Sequence, residues 1–330
     1  MPGQLAGISP RPAAISYFGA VGGCLDYLRV DASEAWLYGG TAWAFVMTME
    51  ASVDVASPIA WDGLCVNPCH SAGPGAVTQL EPNVGYTTLA VCSCPFGQHR
   101  DTDAARKRAW DLVRQSIDDG VPCLGFDLAS PEFAIIAGYT DEGYLSVAHV
   151  PGSGAEPVTS PVPWDGIGQC VQWIRVQAIR PSAPPPEQVV VSEALRAALK
   201  RMSRPPDGGP FVVGLQGHDL WAAALEDGRA SDLGHRYTAA AYAELRSQGA
   251  AFLREAKQRL PGRADGLLDE AIGHYGIAAA RLQALSALHP PVDDPGECLL
   301  SPEAAELVRQ AGAAERRGFP LLAQIADALS

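Results

Sequence analysis

Missing from this sequence is any apolar run approaching the ~20 residues a helix needs to cross a bilayer. No transmembrane helix is therefore expected. Positive charge is also scarce: 24 Lys and Arg stand against 37 Asp and Glu, a formal net charge of −13. The densest basic run, Arg106-Lys107-Arg108, sits inside a helical pattern. An acidic chain repels phosphate backbones and anionic lipid, so neither nucleic acid nor a membrane surface is expected as a partner. Cysteine is sparse, eight in 330 residues, and a chain of this size needs no disulfide staples. Met1 to Ala14 holds one Arg with several Pro and Gly and no apolar core of a secretory signal. Reduced thiols in the cytoplasm are the expectation.

What is present is enough apolar sequence, 47% of residues, to build two compact domains. The first 180 residues mix Gly, Pro, aromatics and short β-like runs, while residues 192–330 are rich in Ala and Leu at helical spacing. Between them, within 181–191, lie Pro181, Pro184, Pro185 and Pro186, a stiff connector that fits neither helix interior nor inner strand. The boundary is expected there.

In the first part, Ile15 to Leu28 reads as a helix weakened by Gly22-Gly23. Asp31 or Ser33 caps a short helix ending at Gly39-Gly40, and Asp101 or Thr102 opens a clearer one that Gly120 stops. Val121 to Leu128, Phe133 to Gly138 and Tyr144 to Val150 read as strands, the last two joined by the turn Thr140 to Gly143. Cys170 to Ile179 alternates apolar and polar and fits another strand. Helices followed by a mainly antiparallel sheet define an α+β class. In the second part, helices are expected at Glu193 to Met202, His218 to Leu225, Asp232 to Leu260, Ala264 to Leu288 and from Ser301-Pro302 onward.

Several segments carry a resemblance to a known group: Tyr38 to Phe45, Ser57 to Trp61, Ala109-Trp110 to Pro122, Pro131 to Tyr139 and Gly143-Tyr144. Together they resemble the papain-like C39 peptidase group, and more closely the N-terminal domain of the butirosin acyltransferase (BtrH) family. In the second part, Gly214 to Trp221, Ala243 to Arg246 and His274-Tyr275 resemble the helical extensions of such proteins. The resemblance implies a papain-like fold and acyl-transfer or amide-type chemistry on a small molecule. In the peptidases of this fold a cysteine begins the first helix and a histidine begins the strand leading into the Gly-Tyr hairpin. Here the nucleophile position falls near Ser16, the histidine position on Glu132 or Phe133, and the third near Ala148 or His149. The usual Cys–His pair is absent.

Each candidate has two readings. Ser16, Glu132 and His149 form a rearranged nucleophile, orienter and base, or else a helix cap, a turn contact and a strand-end residue. Cys24, two turns along the helix, is a nucleophile or small core filler. Tyr38, Trp43, Trp61 and Tyr86 line an apolar ligand pocket or belong to plain core. Tyr17, Tyr139 and Tyr144 join the substrate-binding candidates, and His235 does so from the helical part. Cys65, Cys69, Cys92 and Cys94, with His70 and His99, offer an alternative zinc set of non-standard spacing; the reading without a metal or other cofactor keeps them as reduced thiols. The partner expected is a small molecule, and the Ala-rich helices leave room for a homodimer. The competing class is a non-catalytic protein that binds a metabolite or partner in a remodelled cleft.

Overall fold

The computed structural model of the protein describes residues 3–58, 77–93, 101–128, 130–150, 154–157, 161–169, 173–203, 211–289 and 301–330. The fold is mixed α and β, and the chain forms two compact units. One is Met1–Ser33 with Asp62–Pro184; the other is Glu34–Trp61 with Pro185–Ser330.

Numbered in chain order, the first unit holds α1 (Ser16–Tyr27), α3 (Val77–Leu80) and α4 (Thr102–Asp118). Its strands are β2 (Tyr86–Ser93), β3 (Cys123–Phe126), β4 (Phe133–Tyr139), β5 (Gly143–Val150), β6 (Gly154–Pro157), β7 (Val162–Pro163) and β8 (Ile174–Pro181). They form one antiparallel sheet in the order β2-β8-β3-β4-β5-β6, with β7 alongside β5. Register decides which side chains share a face, because directly opposed residues point the same way. Gln177 lies opposite Leu124, which lies opposite Ile135; this row meets Tyr17 of α1 through Gln177. The next row, Ala178, Cys123 and Ile136, meets α4, which packs on β8, β4 and β3. The central strands are thus covered by a helix on each face.

α1 tolerates its glycines because they are needed. A Cβ at Gly23 would stand 2.1 Å from the Ser9 carbonyl oxygen, and one at Gly19 2.5 Å from that of Arg11. Residues 9–11 can therefore run directly against the helix, where Arg11 N–H donates to the Gly19 carbonyl at 3.0 Å. α4 is capped by Asp101, whose side chain accepts from the Ala104 N–H at 2.9 Å.

The second unit contains α2 (Glu34–Gly40), β1 (Thr48–Glu50), α5 (Glu187–Met202) and β9 (Phe211–Val213). It continues with α6 (Gly217–Glu226), α7 (Asp232–Arg259), α8 (Asp265–Ala287) and α9 (Pro302–Ala328). α7, α8 and α9 pack in sequence, α6 lies on α9, and α2 lies on α7. β1 and β9 form a small antiparallel ladder, Thr48 opposite Val213 and Glu50 opposite Phe211. Ser231 and Ser301 cap α7 and α9 by accepting from Gly234 N–H (3.1 Å) and Ala304 N–H (3.2 Å). Among the described residues, no helix is long and apolar enough to cross a membrane.

Three differences from the sequence reading have physical causes. Residues 34–61, expected with the first 180, belong with the helical unit, since buried hydrogen bonds tie them to α7. Tyr242 exchanges bonds with Thr48, accepting from its N–H (2.8 Å) and donating to its carbonyl (2.6 Å). Arg246 donates to the Ala44 and Val46 carbonyls (3.2 and 2.9 Å). α5 begins at Glu187 and not at Glu193, because Pro186 as N-cap has no N–H to lose. Ser192, just before the expected start, is inside the helix with its hydroxyl donating back to the Val189 carbonyl. Finally, Cys92, a member of the alternative zinc set, sits in β2, a strand the sequence reading did not identify, and is buried opposite Arg175.

Candidate functional site

α1 begins at Ser16 without a side-chain cap on Ile15. The Ser16 hydroxyl does other work: it donates to the Glu132 carboxylate and accepts from the Phe133 N–H at 3.0 Å. Glu132 immediately precedes β4, so this contact joins the first turn of α1 to the start of a sheet strand. A carboxylate beside a helix N-terminus is favoured by the orphan N–H groups there.

The next residue, Tyr17, turns inward. Its ring meets Phe133 edge-on at 5.1 Å, and Phe133 continues to Phe126 (5.0 Å), which contacts Trp173 (4.6 Å). Phe126 and Phe133 share a face because the β3–β4 register pairs them. Trp173, just before β8, is half-buried, whereas both phenylalanines are buried.

Two residues beyond Trp173 the same face of the sheet carries Arg175, which is 0% exposed. Its Nε donates to Gln177 Oε1 at 2.7 Å, and Gln177 Nε2 reaches the Tyr17 hydroxyl at 3.5 Å. Among the described residues, the terminal nitrogens Nη1 and Nη2 find no hydrogen-bond partner. Glu81, 2% exposed, accepts from the Thr88 hydroxyl at Oε2 (2.8 Å), and its Oε1 makes no hydrogen bond. The buried Tyr86 hydroxyl neighbours that of Tyr17. A buried guanidinium with both terminal nitrogens unsatisfied costs several kcal/mol, about 1–3 per orphaned group.

Electrostatics follow from the enclosure. Burial pushes the Glu81 carboxyl up to about 7, against the opposing pull of Thr88 and Arg175. Burial, then Glu81, pushes the Tyr17 phenol up to about 12. Burial likewise pushes Tyr86 well above the usual phenol range. Glu81 is therefore the group of this cluster that changes charge near neutral pH.

The other expected site residues are dispersed. Cys24 is fully buried, and burial first, then the charge of Cys123, pushes its thiol well up. Such a thiol is a poor nucleophile because almost none of it is thiolate. Its place is in the core. Tyr139 and Tyr144 lie on the α4 side, both edge-on to Trp110 (5.7 and 5.2 Å), and Tyr139 donates to Asp118 at 2.7 Å. Bulk aromatic packing put them on the wrong face for Ser16.

Tyr38, Trp43 and His235 are buried in the helical unit. Tyr38 donates to Glu244. His235 accepts at Nδ1 from Trp221 Nε1 (3.0 Å) and meets His289 through Nε2 (2.9 Å). These three are core residues of the other unit. His149 lies in β5 opposite Ala155, and its side chain lies outside the described set. Trp61, Cys65, Cys69, His70, Cys94 and His99 also lie outside the described residues. Of the expected zinc set, Cys92 is thus the described member.

Sequence reasoning overlooked Arg175 and Glu81. The available signal was a charge at an alternate position of a strand whose neighbours, Trp173 to Ile179, are otherwise apolar apart from Gln177.

What the geometry defines is a class: an α+β unit with a Ser–Glu contact at a helix N-terminus and a polar cluster enclosed beneath it. No protein-family model matches the chain, and no curated protein matches it.

Proposed function

We propose that the first unit is a papain-like domain that binds a small molecule at the N-terminal end of α1, without thiol–imidazole hydrolysis. The observation that carries this is the Ser16–Glu132 contact. It falls where the resemblance to the C39 and BtrH group puts the nucleophile and the histidine, at the head of the first helix and the head of the strand entering the Gly-Tyr hairpin. A carboxylate is a weaker base than imidazole by ~2 pH units, and a hydroxyl is a far weaker acid than a thiol, so this pair activates poorly. The surrounding aromatic rings and enclosed polar groups suit a ligand site.

A second reading is acyl transfer, with Ser16 as nucleophile. It is favoured by one observation: the Ser16 hydroxyl already donates to a carboxylate able to take its proton. Glu132 would then return that proton to the leaving group.

A thermal-shift screen of a metabolite library on the full chain tests both. Binding predicts ligands that raise Tm in the wild type and in Ser16→Ala alike, and that are recovered unchanged. Catalysis predicts that the wild type consumes the stabilising ligand and that Ser16→Ala does not. A screen in which nothing raises Tm removes the binding reading.

A further inference from the structure

We infer that Arg175, Glu81, Tyr17, Tyr86 and Gln177 form a carboxylate subsite, which takes the acid group of a small molecule with an apolar body. This rests on the binding reading above and narrows it to a ligand class.

Arg175 is fully buried, and its Nε bond to Gln177 fixes the orientation of the guanidinium. The two terminal nitrogens left without hydrogen bonds form the edge that grips a carboxylate with two parallel bonds. Around it, the Glu81 Oε1 is likewise without a hydrogen bond among the described residues, and the buried Tyr86 hydroxyl neighbours that of Tyr17. Gln177 links Arg175 to the Tyr17 hydroxyl, and Glu81 is held by Thr88 of β2, the strand that pairs with β8 and also carries Tyr86. These groups come from four places: α1, the turn Glu81–Val84, β2 and β8. Convergence of this kind on a guanidinium whose terminal nitrogens lack hydrogen bonds is not explained by packing, because burying those donors unsatisfied is costly.

The choice of a carboxylate follows from charge and shape. A planar oxyanion with two oxygens matches the planar fork, while Tyr86 offers a further donor. Glu81 sets the condition. As a carboxylate it neutralises Arg175 and repels a second anion; as an acid it adds an O–H donor and leaves the cluster at +1. Its carboxyl titrates at about 7, and the neighbours that face it are Thr88, Arg175, Tyr17 and Tyr86. Binding of an anion therefore takes up a proton. Phe133, Phe126 and the half-buried Trp173, a chain of packed rings starting from Tyr17, are the apolar surface that the body of the ligand would meet once the site opens. Because Arg175 is enclosed, uptake requires local opening, and association is slower than diffusion.

The experiment is calorimetry and thermal shift on the full chain with sodium benzoate and its neutral isostere benzamide. At pH 6 benzoate is expected to bind at least about tenfold more tightly than benzamide, and Arg175→Met to abolish the preference. Between pH 6 and pH 8 benzoate affinity is expected to fall about tenfold, and Glu81→Gln to flatten that profile. Equal binding of the two compounds overturns the carboxylate assignment and leaves the binding reading standing. So does a preference that survives Arg175→Met. If neither binds while the metabolite screen yields other ligands, the carboxylate assignment again falls alone; if the screen is also empty, both readings fall. Should Arg175→Met fail to fold, Glu81→Gln decides, and an unchanged pH profile in that variant overturns the proposal.

Discussion

The guanidinium of Arg246 forks onto the carboxylate of Glu315 inside the helical unit, Nε to Oε1 at 2.7 Å and Nη2 to Oε2 at 2.9 Å, with both side chains fully buried. Unlike Arg175, this arginine has every nitrogen engaged, since Nη1 bonds the Ala44 and Val46 carbonyls. His218 Nε2 approaches the same Glu315 oxygen at 3.1 Å. Glu315→Ala leaves a buried cation without its counter-charge and is expected to cost about 3–5 kcal/mol in urea unfolding. The double variant Arg246→Met with Glu315→Leu is expected to recover much of that loss. A single variant as stable as wild type would show the pair contributes nothing.

Acid stability should show two windows. Burial alone would raise Glu315, but Arg246 and His218 outweigh it and hold the carboxyl at about 2, below its ordinary 4.5. A depressed carboxyl stabilises the fold fully above about 4.5 and loses that contribution as pH falls towards 2. His235 behaves differently: burial, then His289, lowers it from 6.5 to about 3. The fold keeps this imidazole neutral, so its stabilisation is complete above 6.5 and drains away from there downward. Below 6.5 this contribution lowers the urea midpoint, while Glu81, raised to about 7, adds stability as pH falls from 7 towards 4.5, so the His235 slope is read as the difference between wild type and variant. Replacing His235 by Gln should remove the upper part of that slope, and an unaltered slope would refute the assignment.

Iodoacetamide offers a test of the core thiols. Cys24 and Cys123 are both 0% exposed, and burial pushes their thiols up, Cys123 to about 12. Peptide mapping after native labelling is expected to find both unmodified, with full modification in urea. Cys24→Ala should cost about 1–2 kcal/mol of stability and leave ligand binding unchanged.

The head of α1 can be asked to do what its resemblance implies. In Ser16→Cys with Glu132→His, the thiol would stand at a helix N-terminus beside an imidazole, the surroundings that lower a thiol pKa. Alkylation of Cys at position 16 at pH 7 is expected to run at least about tenfold faster than in Ser16→Cys alone. Equal rates would mean that positions 16 and 132 are not arranged as a nucleophile and its base.

Much of the fold was legible because local signals agreed with their surroundings. The Asp101 cap, the Ser301-Pro302 start and the turn from Thr140 to Gly143 all express short-range chemistry, and each is where the sequence puts it. β8 shows where such reading fails. Its alternation is enough to mark a strand, but not that helices cover both of its sides and turn Arg175 and Gln177 into the interior. The Ser16–Glu132 contact was accessible only through resemblance, since 116 residues separate the partners. Residues 34–61 were misassigned for a related reason. Nothing local in Ala44 to Thr48 announces that Arg246 and Tyr242, about 200 residues later, will claim its backbone.

That last connection bears on how the protein is made. During synthesis Ala44, Val46 and Thr48 leave the ribosome long before α7 exists, so their carbonyls and N–H groups must wait in water for most of translation. The first unit can complete its sheet once β8 has emerged, with residues 34–61 looped out of it as a long insertion. The helical unit cannot finish until α9 brings Glu315 to Arg246. A cut in the proline-rich connector would not yield two independent pieces, because the downstream fragment would lack the strand that pairs with β9 and the backbone acceptors of Arg246.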